Sequence, residues 1–468
     1  MKRLLTSLIS IIAVISFSGV IYANSGPVFW KGYPSANIMS LDENSPILIE
    51  REDLIFDFSN GAFDYTINGK TTANYYMVNP TNKQQSVQMA FPFVGRLPEL
   101  SQEDILISAD GVPVLYDVYI GDVVDYYGHP EDDKELNFDF ERIIKTVTNE
   151  PYRAENFKQD QIGKLYLIEV EPTTDQRINF SVDFELDVDK TKVLTNGFNR
   201  FERHGGNIKI ASGCYKPEVL EIFVLGEDID LIMNAYSDGQ LTKKTDLFTH
   251  KISTKDVELR SYLMDCVKNN DYIKLNAMFS DIQLYNTYSK ALDSYLTSGY
   301  SSVEDLLQQG SLQRILILVY TVDFPGNAEK KVSVCYNISG TMDRRETADA
   351  LYTYDYILNP AQNWRDFNNL NIKIIAPEEA PHIVKSSIEF TKGENNVYTA
   401  FLEKLPEYDL FFTLYSKDKI TLFDKIRGKF QRPFGYFAML LLYPIGLLIA
   451  VIIIVMVILK IKNKLRLK

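Results

Sequence analysis

Four aspartates, Asp122, Asp125, Asp132 and Asp133, make the one constellation in this chain that reads as a metal site. They lie in the acidic stretch Asp122–Glu135 (DVVDYYGHPEDDKE), with His129, Glu131 and Glu135 among them. Carboxylate oxygens are hard ligands, and calcium gathers about six to eight oxygens around itself. The stretch lacks the D-x-D-x-D-G spacing of an EF-hand, and a solvated acidic loop at a sheet edge accounts for the same residues. Calcium is the only cofactor these residues suggest.

Other chemistry is thin. The four histidines, His129, His204, His250 and His382, are far apart and form no H-E-x-x-H or similar zinc pattern. There is no G-x-S-x-G elbow, no P-loop and no G-x-G-x-x-G. No residue is assigned a catalytic role on these grounds. His204-Gly205-Gly206 reads as a turn between two short strands. Cys214, Cys266 and Cys335 allow one disulfide at most, so the core must hold the fold.

The elements around these residues are mainly strands. Ile178, Phe180, Val182, Phe184, Leu186 and Val188 alternate with Asn179, Ser181, Asp183, Glu185 and Asp187. That period of two predicts a strand with one face in a core and one in water. Shorter runs at 47–49, 54–58, 65–67, 72–78, 87–93, 105–107 and 112–120 read the same way. Asn68-Gly69, Asp110-Gly111 and Asp238-Gly239 supply hairpin turns. A short helix is expected around Phe140, Ile143, Ile144 and Val147, ended by Pro151.

Between Thr254 and Gln309 the period becomes helical. Its stripes are Leu259, Tyr262, Leu263, Cys266 and Val267, then Leu284, Tyr288, Ala291, Leu292 and Tyr295, then Val303, Leu306 and Leu307. Ser253 or Thr254 is the expected cap of the first helix. Strands return after Gly310, with a hairpin expected around Lys392-Gly393. The fold class that follows is mainly β: antiparallel sandwich domains with a central helical insert and one C-terminal transmembrane helix.

The two ends of the chain suggest a topology. Lys2 and Arg3 precede the apolar stretch Leu4–Tyr22, and Ala23 offers a cleavage point. An uncleaved signal anchor is the alternative. Tyr436–Leu459 carries no charge, and 24 residues at ~1.5 Å each span about 36 Å, enough to cross a bilayer. Lys460, Lys462, Lys464, Arg466 and Lys468 follow it and favour the cytoplasm. Basic residues also precede the span, so the signal, rather than local charge, orients the chain.

The expected organisation is a signal peptide over 1–23 and an N-terminal sandwich region over 24–250. A helical segment (251–311), a C-terminal sandwich region (312–416) and a basic juxtamembrane stalk (417–435) follow. The transmembrane helix covers 436–459 and a cytoplasmic tail 460–468. The stalk mixes Lys and Arg with Phe and Ile. It reads either as a lipid-surface segment or as a solvated connector.

The formal charge of −13 argues against nucleic acid as a partner. The stretch Tyr352–Ile374 (YTYDYILNPAQNWRDFNNLNIKI) resembles a segment of uncharacterised extracytoplasmic single-pass membrane proteins of Gram-positive bacteria. In these, a Y-x-L-x-PA-x-x-W-x-x-F segment closes a membrane-proximal β domain. The resemblance implies that layout and no known activity. Trp364 and Phe367, three apart, are expected on one helical face, plugging a sandwich end.

The reading that fits is a surface-displayed, membrane-anchored extracytoplasmic binding or assembly protein. It would be an accessory or sensing ectodomain whose partners are the bilayer and another membrane or surface protein. A tethered extracellular hydrolase and a structural envelope protein are the alternatives.

Overall fold

The structure is a computed structural model, and it describes residues 28–434 apart from 43, 60–64, 102, 126–139 and 271–277. Among the described residues the fold is mainly β, with 50% strand and 15% helix. The longer strands begin with β1 (Leu48–Asp57), β2 (Asn68–Asn79), β3 (Gln85–Gly95), β4 (Ile105–Ala109) and β5 (Asp117–Asp125). A middle group follows: β6 (Ile162–Pro172), β7 (Ile178–Glu185), β8 (Thr191–Asn196), β9 (Arg200–His204), β10 (Asn207–Cys214), β11 (Glu218–Gly226), β12 (Ile232–Tyr236) and β13 (Phe248–Glu258). The last group is β14 (Gln313–Phe324), β15 (Ala328–Ser339), β16 (Leu351–Ile357), β17 (Asn368–Ile375), β18 (His382–Ser386), β19 (Val397–Lys404) and β20 (Leu410–Tyr415). The helices are α1 (Phe140–Thr146), α2 (Leu259–Lys268), α3 (Asp281–Leu296), α4 (Val303–Gln308) and α5 (Leu422–Phe434).

Among the described residues the strands form sheets of ten, eight, five and four strands. The ten- and eight-stranded sheets pack face to face. Phe56 of β1 meets Tyr356 and Phe412 of the opposite sheet edge-on, with ring centres 5.7 and 5.2 Å apart. The strands of this pair come from both ends of the chain. β14 runs between β3 and β5, β15 runs between β2 and β4, and β17 lies parallel to β1. So a division at 311/312 does not separate two sheets. Alternation shows which way a strand faces but leaves its partner open.

The five- and four-stranded sheets are built from the middle group plus the short strand Tyr300–Ser302, and enclose a second core of Ile168, Phe180, Val182, Ile210, Ile222 and their neighbours. The other face of the five-stranded sheet is also buried. Leu165, Leu194, Phe223 and Leu225 join the helices there, and Phe223 stacks on Tyr262 of α2 at 4.5 Å. α3 reaches the first sheet pair, where Gln283 accepts from the backbone N–H of Ile120 at 3.1 Å.

Several expectations change. The sheets are mixed rather than purely antiparallel. β1 runs parallel to β17, β8 to the short strand Tyr300–Ser302, and the short strand Ser35–Ala36 to β16. Ser253 and Thr254 cap nothing. They belong to β13, which pairs residue for residue with β6, and the first helix starts at Leu259. The hairpin around Lys392-Gly393 shrinks to Thr391–Lys392 against β19, while β18 pairs with β20 in the other sheet. Trp364 and Phe367 are both buried but share no helix, since the 3-10 turn ends at Asn363. The Trp364 indole N–H donates to the carbonyl of Ile38 at 3.2 Å. The residues expected as a stalk include α5, which packs closely on the loop at Thr347.

No helix among the described residues is long and apolar enough to cross a membrane. The expected signal peptide, span (436–459) and tail all lie outside the described residues.

Candidate contact face and the buried carboxyl behind it

One extra residue in β1 sets up both sides of the eight-stranded sheet. Ile49 pairs with Met77 and Arg51 with Tyr76, so Glu50 is a bulge. A bulge shifts the period-two phase by one residue. Before it, Ile47 and Ile49 point into the core; after it, Glu52, Leu54 and Phe56 do. Without the bulge, Arg51 and Asp53 would point inward instead.

Glu52 is completely buried between the two large sheets. The Asn37 amide donates to its Oε2 at 3.0 Å. Asn37 is held in turn, since its Oδ1 accepts from the Tyr75 hydroxyl and from the backbone N–H of Ile38. The Tyr75 and Tyr356 hydroxyls lie 3.4 Å apart. Burial pushes the Glu52 carboxyl up to about 8; the Asn37 hydrogen bond and the nearby Tyr75 and Tyr356 hydroxyls pull the other way and lose. Its Oε1 has no hydrogen bond of normal geometry, nor do the buried hydroxyls of Thr71, Tyr320 and Tyr336. Burial thus favours the protonated, neutral form of this carboxyl. It is sealed from solvent, so its role is to tie the sheets together rather than to meet a substrate.

The outer face of the same strands is open. Register places Phe401, Asn371, Asp53, Asn74, Ser333 and Ser108 in one row across the sheet. Cross-strand bonds lock this row: Asn371 Nδ2 donates to Asp53 at 2.8 Å, and Ser333 Oγ donates to Asn74 Oδ1 at 2.7 Å. Beside it, the Arg51 guanidinium lies 3.7 Å from the Tyr76 ring centre and pairs with Asp53 at 3.3 Å. Arg51, Tyr76, Asn368, Asn369, Phe401 and Lys404, with the carboxylates of Glu50, Glu329 and Glu403 among them, line a shallow depression of about 680 Å³. Phe401 is 58% exposed at the junction with a second depression, lined by Asp53, Asn371, Lys373 and Thr399. An exposed aromatic beside stacked Arg and pre-ordered amides is the composition of a contact surface.

Of the four aspartates expected to bind metal, Asp122 has a described side-chain partner. Asp122 pairs with Lys290 of α3 at 2.7 Å, and that bond holds its carboxyl below the usual range. Asp125 ends β5 opposite Gln313. Asp132, Asp133, His129, Glu131 and Glu135 lie outside the described residues. Among the described residues no three His, Cys, Asp or Glu side chains gather as metal ligands. His204 ends β9 at the Gly205 turn, His250 stacks on Phe248, and His382 faces Lys392, so these three do not converge. All three cysteines are free.

Sequence reasoning missed Glu52, Arg51 and Tyr76. Ile47–Ile49 and Leu54–Phe58 read as two separate runs, and the charged block between them (ERED) carries no local sign of burial. The signal was the odd spacing of the two runs, which are out of phase by one residue.

No family model matches the chain, and no curated protein matches it. A solved structure from Legionella pneumophila subsp. pneumophila str. Philadelphia 1, described as a "putative nutrient binding protein", aligns over 87% of this chain and 77% of that one. The TM-score is 0.35 at 10% identity, too low to carry an argument.

Proposed function

We propose that this chain is a membrane-anchored extracytoplasmic binding or assembly protein. On this reading it is an ectodomain that contacts another membrane or surface protein through the outer face of its eight-stranded sheet. The observation that carries the reading is Phe401. It is an exposed aromatic in a row of polar side chains that already hold one another in place, so a partner would meet an ordered surface with little entropy left to lose. The anchoring rests on the apolar stretches Leu4–Tyr22 and Tyr436–Leu459.

The test is photo-cross-linking in cells with a benzophenone amino acid at position 401 of the full chain. A discrete protein adduct is expected there, and none from the same probe at Leu115, an exposed residue elsewhere. Equal yields at both positions, or no adduct at 401, would refute the assignment. Shaving of intact cells with protease tests the location separately. The body should be cut without lysis.

A further inference from the structure

α5 is amphipathic in the reverse of the usual sense. Three apolar side chains of its first turns face outward: Leu422, Phe423 and Ile426 are 80%, 69% and 52% exposed. They fall at spacings of three and four and so share one side of the helix. The side against the body carries Asp424 and Gly428, both buried. A Cβ on Gly428 would come within 2.7 Å of the Thr347 backbone, so helix and loop are in close contact.

The start of the helix is clamped as well. Thr421 and Asp424 form a reciprocal capping box: Asp424 N–H donates to Thr421 Oγ1 at 3.1 Å, and Thr421 N–H donates to the Asp424 carboxylate at 3.0 Å. Lys417 bridges Asp424 at 2.6 Å and Asp349 at 2.9 Å. The exposed apolar residues therefore sit on a rigid mount rather than on a loose stalk.

Two observations say what covers them. The first is where the chain goes: α5 ends at Phe434, and the uncharged run begins at Tyr436. The second is charge. The sequence places Lys425, Arg427, Lys429 and Arg432 on this one helix of a chain whose net charge is −13. A clustered basic segment in an acidic chain, interleaved with Phe, Leu and Ile, is complementary to an anionic lipid surface. We infer that α5 lies in the headgroup layer of an anionic membrane with Leu422, Phe423 and Ile426 inserted, and that its clamp to Asp349 and Thr347 sets the orientation of the whole body on the membrane. This rests on the anchoring proposed above.

The experiment uses the full chain with Cys214, Cys266 and Cys335 replaced by alanine and one environment-sensitive fluorophore at F423C. The protein is reconstituted into phosphatidylcholine vesicles containing phosphatidylglycerol. Nitroxide-labelled lipid should quench this probe, and aqueous iodide should not. A probe at Y215C, on an exposed tyrosine of the body, should behave in the opposite way. Replacing Lys425 and Lys429 by Glu should reduce lipid quenching at 423 while the protein stays with the vesicles. Iodide quenching at 423 equal to that at 215, with the chain still embedded, overturns the inference and leaves the anchoring intact. Shielding from both quenchers means that protein covers the helix, and also overturns it. A chain that does not float with vesicles at all overturns the anchoring itself.

Discussion

The Asn37 amide donates to Glu52 Oε2 at 3.0 Å across the gap between the two large sheets. A carboxyl in that place is costly to ionise. Its folded pKa of about 8 lies above the usual value of 4.5, so between those limits the folded state keeps a proton that the unfolded state has released. Stability should therefore fall as pH rises from about 4.5 to about 8 and stay level above that, with a total loss on the order of 5 kcal/mol. Glu52→Gln keeps the shape and an acceptor for Asn37 and removes the titration. Urea unfolding at several pH values should show the variant gaining on the wild type as pH increases. Parallel curves would rule this out.

The bulge at Glu50 gives a second prediction. Glu50 is exposed, so Glu50→Ala should change stability by less than about 1 kcal/mol. Deleting Glu50 is a different matter, since it returns β1 to an unbroken period and turns Arg51 and Asp53 toward the core. The deletion should abolish cooperative thermal unfolding. A folded deletion variant would mean that the register is not set by this residue.

Asp293, near the end of α3, holds the segment that precedes β6. It accepts from the backbone N–H groups of Glu155 and Asn156 at 2.9 and 2.8 Å and from the Tyr152 hydroxyl at 2.9 Å. These bonds hold its pKa below the carboxylate norm against the opposing effect of burial. Their contribution is present above the unfolded pKa of about 3.8 and is lost as pH falls through the folded value. Asp293→Ala should cost about 2–4 kcal/mol, because four hydrogen bonds, the Asn156 amide's among them, lose their acceptor. Amide exchange at Glu155 and Asn156 should speed up, and unchanged protection there would contradict the role.

The thiols offer a rapid check of the fold. Burial pushes Cys214 up to about 11 and Cys266 up to about 12. Only the thiolate reacts, so both should resist Ellman's reagent at pH 8 until the chain unfolds. Prompt labelling of either in the native protein would place it outside a core.

Much of the local structure was legible. The helical stripes bury the residues that the period named, among them Leu259, Tyr262, Leu263, Leu284, Tyr288, Leu292, Val303, Leu306 and Leu307. The alternation from Ile178 to Phe184 marks β7, although Asn179 and Ser181 are buried as well. The Asn179 amide reaches the carbonyl of Asp238 at 3.2 Å, so a neighbouring loop covers what a lone strand would have shown to water. The candidate face was hidden. Phe401 looked like one aromatic among many, and its value comes from Asn371 and Asp53, which are adjacent only because β17 lies parallel to β1.

From the residues alone came the β-rich class, the helical middle, the turn at Gly205 and the two apolar ends, because each is a property of neighbours along the chain. Only the tertiary structure decided that Glu52 is buried, that strands from the two ends share two sheets, and that α5 turns Leu422, Phe423 and Ile426 away from the body. Those features depend on which distant segments meet, and a period of two or of 3.6 carries no information about partners.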